Sequence, residues 1–317
     1  MNLLFTMDYG AENFDLLRRE GHTVNYVSET EPCRELTEEE KSCDVIIGYN
    51  FFEKYPLSGF PNLRYIQLVS VGFNHIPIEE IRRLNLPVCH NVGMTRWPIA
   101  EWVLWMILSS YKCANQLAQQ QKDHVWQPLT GGRILELTGK TVMFLGAGNI
   151  PQEVARKLKA FDAKTVALNL DTEPVPNIDE IYLIGEIDRL IGDADILICC
   201  LPATPATYHM LNSDRFALMK DDAVLVNISR GTVVNECDLI KALKNGKFRN
   251  VCLDVFETEP LDTESPLWDM DRVLITPHTA IESDLSYQRV FDMICRNIRH
   301  AEAGEPLENP VHYERGF

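Results

Sequence analysis

The sequence predicts an α/β protein with two domains, each built on a parallel β-sheet. Short apolar runs of strand-forming residues alternate with segments of helical periodicity along most of the chain. Strands separated by helices usually pair in parallel. The length of 317 residues is enough for two domains, at a prior of ~150 residues each. We therefore expect two Rossmann-like or flavodoxin-like domains with a cleft between them.

The stretch from Leu137 to Asp171 holds the clearest pattern in the chain. An apolar run at 141–145 leads into Gly146-Ala147-Gly148, after which apolar residues recur at helical spacing up to Phe161. A second apolar run follows at 166–168. A strand, a glycine turn, a helix and a strand within about 30 residues form the unit that holds a dinucleotide pyrophosphate at a helix N-terminus.

This turn departs from the G-x-G-x-x-G pattern at two places. Pro151 occupies the third glycine position, where proline removes only an N–H that the first helical turn would leave unpaired. Asn169 stands at the spacing of the acidic residue that binds the ribose hydroxyls of NAD, and Asp171 follows two residues later.

The charge balance excludes several classes of partner. The chain has 30 Lys and Arg against 46 Asp and Glu, a net charge of -16. Such a surface repels nucleic acid and anionic membranes, so we expect neither as a partner. An anionic ligand would need a local positive site.

Nine cysteines form no CxxC pair and no metal-ligand spacing with histidine, so the sequence predicts no metal site. This usage is typical of the reducing cytoplasm, and Met1 to Thr6 resemble a first strand more than a signal sequence. The most apolar stretch, 97–111, contains Pro98 and Glu101 and is too short to span a bilayer.

The element pattern predicts a domain of residues 1–95 plus 284–317 for the substrate and a dinucleotide-binding domain of residues 96–283. The first would contain strands and helices at 2–6, 11–20, 24–27, 44–48, 64–70 and 78–84. The second would continue after Asp171 with elements at 195–200, 213–219, 223–228, 236–245, 250–255 and 273–276. A final helix at 284–303 would return to the first domain.

The longest helical pattern, at residues 97–122, is apolar on nearly all sides in its first half. A helix of this kind is buried, either between domains or in a subunit interface. We expect a homodimer on this ground.

Three strand ends in the second half present polar groups. Arg230 follows the strand at 223–228, Glu259 follows the strand at 250–255, and His278 follows the strand at 273–276. The carboxyl ends of parallel strands share one edge, and the nucleotide lies at that edge. The sequence therefore predicts that these three residues face a bound dinucleotide.

These residues resemble the D-isomer-specific 2-hydroxyacid dehydrogenase family, which includes glyoxylate/hydroxypyruvate reductases and phosphoglycerate dehydrogenases. Arg230, Glu259 and His278 follow one another at intervals of 29 and 19 residues, as in that family. The other matching segments are Ser70-Val71-Gly72, the turn at 146–151, Leu201-Pro202 with Thr204 and Thr207, 227–231, 253–260 and 276–278.

The resemblance implies the reduction of a 2-keto acid to a D-2-hydroxy acid. Arg230 would bind the substrate carboxylate and polarise the keto oxygen. His278 would give that oxygen a proton, and the Glu259 carboxylate would favour the charged imidazolium that supplies it. Backbone groups of Val71 and Gly72 would hold the substrate carboxylate from the other domain, and domain closure would exclude water.

The resemblance also implies a nicotinamide cofactor. We expect NAD, with NADP as the alternative, because Asp171 and Glu173 follow Asn169 and no Arg or Lys lies in residues 165–180. We expect the pyrophosphate to be bound by Gly146, Gly148, Asn149 and Ile150, and the ribose by Asn169. We expect the adenosine side of the cofactor to be bound by Leu201, Pro202 and Thr207. The nicotinamide side would be bound by Ile228, Arg230, Asp254 and His278.

Other functions remain open from the sequence. Phosphoglycerate dehydrogenase is an alternative enzyme, whereas formate dehydrogenase is disfavoured because that group pairs its histidine with glutamine. A nucleotide-sensing protein, such as a transcriptional corepressor, shares the fold and can keep the three residues. Substrate specificity would depend on loops at 49–60, 71–76 and 94–97 and on Trp126 or Trp268.

Overall fold

The computed structural model describes residues 1–73, 75–311 and 313. Asn74, which falls in one predicted specificity loop, therefore lies outside the described residues, as do His312 and residues 314–317. The chain divides into a first unit, Met1–Thr95 with Ser283–Phe317, and a second unit, Arg96–Glu282.

Strands and helices alternate through both units. The strands are Asn2–Phe5 (β1), Thr23–Tyr26 (β2), Val45–Gly48 (β3), Tyr65–Leu68 (β4), Val88–Cys89 (β5), Thr141–Leu145 (β6), Lys164–Asn169 (β7), Glu180–Leu183 (β8), Ile196–Cys199 (β9), Val224–Asn227 (β10), Asn250–Leu253 (β11) and Val273–Ile275 (β12). The α-helices are Ala11–Arg19 (α1), Glu38–Lys41 (α2), Ile78–Leu84 (α3), Arg96–Tyr111 (α4), Ala114–Lys122 (α5), Asn149–Leu158 (α6), Ile187–Leu190 (α7), Ser213–Leu218 (α8), Glu236–Lys244 (α9) and Ser286–Ala303 (α10).

The first unit contains a five-stranded parallel sheet in the order β2-β1-β3-β4-β5. This is the flavodoxin-like order, and it needs helical crossovers on both faces. Helix α10 covers part of one face, because its apolar side packs against Leu3 and Phe5 of β1. The buried residues on that side are Val290, Phe291, Ile294 and Ile298.

The second unit contains a seven-stranded parallel sheet in the order β12-β11-β10-β9-β6-β7-β8. The strand that enters the unit first, β6, lies inside the sheet, so the chain winds outward to both sides and a topological switch point falls between β6 and β9. The register places the last residues of the central strands side by side. These paired residues are Leu145, Cys199, Asn227, Leu253 and Ile275.

The sequence predicted a single helix at 97–122, and this prediction is wrong because the structure has two helices there. Helix α4 ends at Tyr111 and α5 begins at Ala114, because Cys113 adopts a left-handed conformation with φ 56°. Left-handed backbone cannot continue an α-helix. The two segments therefore differ, with eight buried residues in α4 and none in α5.

Two strands were not predicted. Strand β5 has two residues, and β8 has no fully buried residue. Both lie at an edge of their sheets. Neither has the continuous apolar run that marks a buried parallel strand. Within the part of the chain that the structure describes, no helix is both long and apolar enough to cross a membrane.

Candidate active site

The glycine turn after β6 is shaped for a close approach by a ligand. Gly146 has φ 100°, and a Cβ there would lie 3.2 Å from the carbonyl oxygen of Cys200, so this position requires glycine. Gly148 precedes the first residue of α6, and a Cβ there would meet no atom within 4 Å. The space above Gly148 and the unpaired N–H groups of the first helical turn form a cradle that fits a pyrophosphate.

Pro151 does not disturb this cradle. It is buried in the first turn of α6, where its missing N–H removes no hydrogen bond that the helix would form. Asn149 is exposed and Ile150 is half-buried. The helix follows the turn directly, with Gln152 N–H donating to the Gly148 carbonyl oxygen at 3.2 Å.

The end of β7 carries an acidic group beside the predicted ribose position. Asn169 is half-buried, and its Nδ2 donates to Oδ1 of Asp171 at 3.3 Å. The same oxygen accepts the N–H of Glu173 at 3.3 Å. The Asp171 carboxylate is therefore held close to Asn169 and places negative charge at this end of the strand.

The segment after β9 forms a turn organised by Thr207. This residue is buried, and its Oγ1 donates to the Pro202 carbonyl oxygen at 2.7 Å and accepts the N–H of Thr204 at 2.8 Å. Thr207 thus faces into the turn, while Leu201 and Pro202 remain half-buried at its surface. Its contacts here are structural, and cofactor binding by Thr207 stays a prediction.

Arg230 extends from a loop fixed by the buried Asn227. The Oδ1 atom of Asn227 accepts the N–H of Ser229 at 3.1 Å, and Nδ2 donates to the Arg230 carbonyl oxygen at 3.1 Å. The guanidinium of Arg230 is exposed, and its Nη1 donates to the Ser229 carbonyl oxygen at 2.7 Å. Among residues 1–73, 75–311 and 313, no carboxylate forms an ion pair with Arg230.

Glu259 and His278 form a direct pair. Glu259 Oε2 lies 2.7 Å from His278 Nδ1, and Glu259 Oε1 accepts the N–H of Phe256 at 3.0 Å. His278 has φ 50°, a conformation that is uncommon for residues other than glycine, and its N–H donates to the Asp254 carbonyl oxygen at 2.9 Å. The histidine ring is thereby oriented with Nε2 as the atom left for another partner.

Asp254 anchors the turn that carries His278. It is 2% exposed, and its Oδ1 accepts from Thr276 Oγ1 at 2.6 Å and from the N–H of Thr279 at 3.0 Å. Its Oδ2 accepts the N–H of Ala280 at 3.1 Å. These three donors give Asp254 a structural function, and its predicted contact with the nicotinamide carboxamide stays a prediction. Ile228 is buried at the end of β10.

The predicted carboxylate-binding loop lies in the first unit, after β4. Val71 is exposed, and its carbonyl oxygen lies 2.8 Å from Nδ1 of His90. Ser70 Oγ donates to the Gly72 carbonyl oxygen at 2.7 Å, and Asn91 N–H donates to the Ser70 carbonyl oxygen at 2.8 Å. The loop is thus held by its carbonyl groups.

Sequence reasoning missed residues that hold the site together without facing it. Thr279 binds Asp254, and Glu236, Glu257 and His209 meet beside the Glu259 loop. No local pattern marks the contact of Glu236 with Glu257, because the two residues are 21 positions apart in the sequence.

Comparisons with known proteins identify the family of this chain. Residues 104–280 match the family model of the D-isomer specific 2-hydroxyacid dehydrogenase NAD-binding domain. The chain is 36% identical over 256 residues to a glyoxylate reductase from Thermofilum pendens, covering 77% of this chain and 74% of that protein. The chain belongs to the D-isomer specific 2-hydroxyacid dehydrogenase family.

Solved structures of this family share the fold. A D-isomer specific 2-hydroxyacid dehydrogenase family protein from Aeromonas salmonicida has a TM-score of 0.84 at 26% identity, over 98% of this chain and 99% of that one. An NADPH-dependent glyoxylate/hydroxypyruvate reductase from Sinorhizobium meliloti, in complex with NADP and sulfate, has a TM-score of 0.80 at 25% identity, over 100% and 99% of the two chains. The predicted family and fold class, two parallel-sheet α/β domains, are confirmed.

The space above Gly148 yields a prediction about cofactor binding. Gly148→Ala adds a methyl group that meets no protein atom, so the melting temperature should stay within about 2 °C of the wild type. The same methyl group would occupy the cradle and weaken NADH binding by about tenfold or more. Differential scanning calorimetry and isothermal titration with NADH would measure both. Gly59→Ala, in the first unit and equally free of contacts, is the matched control and should change neither. Unchanged NADH affinity in Gly148→Ala would place the cofactor elsewhere.

Proposed function

We propose that the protein is an NAD(P)H-dependent reductase that converts a small 2-keto acid to the D-2-hydroxy acid. The observation that carries the proposal is the pair of Glu259 and His278 at 2.7 Å, on the same sheet edge as the glycine turn and Arg230, which forms no ion pair with any described carboxylate. Glyoxylate is the substrate to test first, because the similar protein from Thermofilum pendens is a glyoxylate reductase.

Arg230 binds and polarises the substrate in this proposal. Its guanidinium is always charged and offers a planar fork of donors that matches a carboxylate. Because no described carboxylate neutralises it, the positive charge is available to an anion despite the net charge of -16. The same group would stabilise the negative charge that develops on the keto oxygen.

His278 supplies the proton. Its Nδ1 faces Glu259, so Nε2 is the atom that would donate to the keto oxygen. Bound NAD(P)H supplies the hydride that reduces the keto carbon. In the direction of oxidation, Nε2 would take the proton back from the hydroxyl group, since the same group serves as acid and base.

In this proposal the first unit binds the substrate and the second unit binds the cofactor. We assign substrate binding to the first unit, where the backbone of Val71 and Gly72 would hold the carboxylate. We assign dinucleotide binding to the second unit, whose residues match the NAD-binding family model. Gly146, Gly148, Asn149 and Ile150 would hold the pyrophosphate, Asn169 the ribose, Leu201, Pro202 and Thr207 the adenosine side, and Ile228, Asp254, Arg230 and His278 the nicotinamide side.

Replacing His278 tests the proposed chemistry. His278→Asn keeps a residue that tolerates the observed φ of 50° but removes the acid, so kcat for glyoxylate reduction should fall by about two orders of magnitude or more. Glu259→Gln removes the negative charge beside the His278 ring, so its kcat should also fall, by about tenfold or more. Oxidation of NADH, followed by its absorbance, measures both.

The matched control is His124→Asn, which replaces another histidine with positive φ, and it should keep the wild-type rate. Full activity in His278→Asn would remove His278 from the mechanism. If the wild-type protein binds NADH yet reduces no 2-keto acid, the enzyme proposal fails and a nucleotide-sensing function becomes the better one.

We further propose that the cofactor is NAD rather than NADP. Asp171 lies within hydrogen-bond distance of Asn169, and a 2′-phosphate at this position would meet its negative charge. Residues 165–180 contain no Arg or Lys that could compensate. Relatives differ here, since the Sinorhizobium meliloti reductase is NADPH-dependent.

The Asp171 carboxylate gives a second prediction for the cofactor. Asp171→Asn removes one negative charge but keeps an oxygen acceptor for Glu173, so the preference for NADH over NADPH in kcat/KM should fall by about three- to tenfold. Asp162→Asn changes an acid just before β7 and should leave the preference unchanged. A wild-type enzyme that prefers NADPH would contradict the proposal before any variant is made.

The second unit also exposes apolar side chains along one segment, and we propose that this segment forms a homodimer interface. Helix α5 buries no residue, and Trp126 is 98% exposed. Exposed apolar residues along this segment are Trp105, Leu117, Val125, Trp126 and Ile134. Large exposed apolar groups that follow one another in this way are typical of a protein interface.

Trp126→Asp should weaken the dimer, because a charge would replace a large apolar group in the interface. Light scattering coupled to size-exclusion chromatography, at concentrations from about 1 to 100 μM, would show a shift towards the monomer. Trp268→Asp replaces a half-exposed tryptophan outside the segment and should not change the mass. A wild-type protein that is monomeric throughout this range would exclude the proposed interface.

We propose a cytoplasmic location from the state of the cysteines. All nine are free, and they include the buried Cys199 and Cys252. Burial raises the pKa of the Cys199 thiol to about 12 and so keeps it protonated and unreactive. Such cysteines behave as small apolar residues in a reducing compartment.

A further inference from the structure

We propose that Glu236, Glu257 and His209 form a clamp that positions Arg230 and Glu259 relative to each other. None of the three belongs to the proposed catalytic set, and none would touch the substrate. They are positioning residues, which act through the two loops that they join. The inference rests on the proposed function, because it concerns the residues assigned there.

The clamp is a reciprocal pair of hydrogen bonds between two acidic residues. Glu257 Oε1 accepts the N–H of Glu236 at 2.8 Å, and Glu236 Oε1 accepts the N–H of Glu257. Each side chain thus binds the backbone of the other residue, 21 positions away in sequence. Charged acceptors on backbone N–H groups form strong hydrogen bonds, so the two segments are held at a defined distance.

The two segments are those that carry Arg230 and Glu259. Glu236 is the first residue of α9, and Gly231 to Val233 form a short 3₁₀ helix between it and Arg230. On the other side, Glu257 stands two residues before Glu259. A displacement of either carboxylate of the clamp would therefore move a residue of the proposed site.

Direct backbone packing closes the space between the same segments. A Cβ at Gly231 would lie 1.8 Å from the carbonyl carbon of Phe256 and 2.4 Å from the nitrogen of Glu257. Only glycine allows this approach. Phe256 N–H in turn donates to Glu259. The clamp and the Gly231 contact thus fix the two loops at two neighbouring points.

His209 makes a third attachment. Its Nδ1 lies 3.2 Å from Nδ2 of Asn235, the residue that caps α9, and its Nε2 lies 3.1 Å from Glu257 Oε1 without the geometry of a hydrogen bond. Its ring stacks on Tyr208, with 3.9 Å between ring centroids. The imidazole therefore bridges the Glu257 side chain and the start of the helix.

The crowding of acids argues that the arrangement serves the site. Burial, followed by the charges of Glu257 and Glu259, raises the pKa of the Glu236 carboxyl, while the N–H of Glu257 opposes this effect. Three carboxylates close together repel one another, an arrangement that stability alone would not favour. The positive end of the α9 dipole offsets part of this repulsion. The benefit is the fixed position of Glu259 beside His278.

The test compares two substitutions at one position. Glu236→Gln keeps an oxygen that can accept the N–H of Glu257, whereas Glu236→Ala removes the acceptor. Asp238→Asn, on the same helix but outside the clamp, is the control. We expect Glu236→Ala to lose about tenfold in kcat for glyoxylate reduction by NADH, with a raised KM for glyoxylate, because Glu259 and Arg230 both shift. Glu236→Gln should recover most of the rate, and Asp238→Asn should match the wild type.

A second readout does not depend on activity. The imidazole ¹⁵N resonances of His278 in the cofactor-free protein, assigned with His278→Asn, report the charge of the ring. In Glu236→Ala the Nδ1 resonance should move towards that of an imidazole without a carboxylate partner, because Glu259 is no longer held 2.7 Å from Nδ1. Glu236→Gln should keep the wild-type resonance.

The outcomes separate the clamp from the proposed function. If the Nδ1 resonance of His278 is the same in the wild type and in Glu236→Ala, and kcat is unchanged, the clamp is only a structural contact even if the melting temperature falls. If the wild type reduces no 2-keto acid, the proposed function fails, while the ¹⁵N resonance still decides the clamp. Should Glu236→Ala not fold, His209→Asn tolerates positive φ, removes the contact with Glu257, and should show the same change of resonance to a smaller extent.

Discussion

The candidate site depends on the hydrogen bonds that the buried carboxylate of Asp254 accepts. It lies at the end of β11, and its donors, Thr276, Thr279 and Ala280, all come from the segment after β12. A buried charge without such donors would cost several kcal/mol, so the segment must close around Asp254. His278 lies in this segment with φ 50°, and its Nδ1 lies 2.7 Å from Oε2 of Glu259. Trp102 of α4 adds a hydrogen bond to Thr276 at 3.3 Å and so ties the longest helix of this unit to the same turn.

The parallel register of the strands also positions the side chains of the candidate site. Because β6, β9, β10, β11 and β12 end at the same level, each loop needs only a few residues to bring its side chain to the common edge. The loops then support one another: Asn227 holds the Arg230 backbone, and Gly231 lies against Phe256. A site with so many backbone contacts tolerates little displacement, which is the condition for directed proton transfer.

The sequence predicted the elements that carry strong local signals. Strand β6, the glycine turn and α6 were predicted because an apolar run, two glycines and a helical period follow one another. Arg230, Glu259 and His278 were chosen as candidates because each follows a buried strand, and their functions stay predictions. What the sequence could not show depends on contacts between distant residues. The break at Cys113 and the strand pairing of β8 have no local pattern, and the pairing of Glu236 with Glu257 links residues 21 positions apart.

Several arginines of this acidic chain are paired with a carboxylate, whereas Arg230 has no such partner among the described residues. Arg34, Arg156 and Arg296 form bidentate pairs with Glu40, Glu153 and Glu308. Arg230 binds only a neighbouring carbonyl oxygen among its described hydrogen bonds, although 46 acidic residues are present. Three acids in and next to the loop after β11 have other partners: Asp254 binds the His278 turn, Glu257 binds α9, and Glu259 binds His278. Because these carboxylates are bound by other groups, they do not neutralise Arg230, and under the proposed function its guanidinium would be available to the carboxylate of a 2-keto acid.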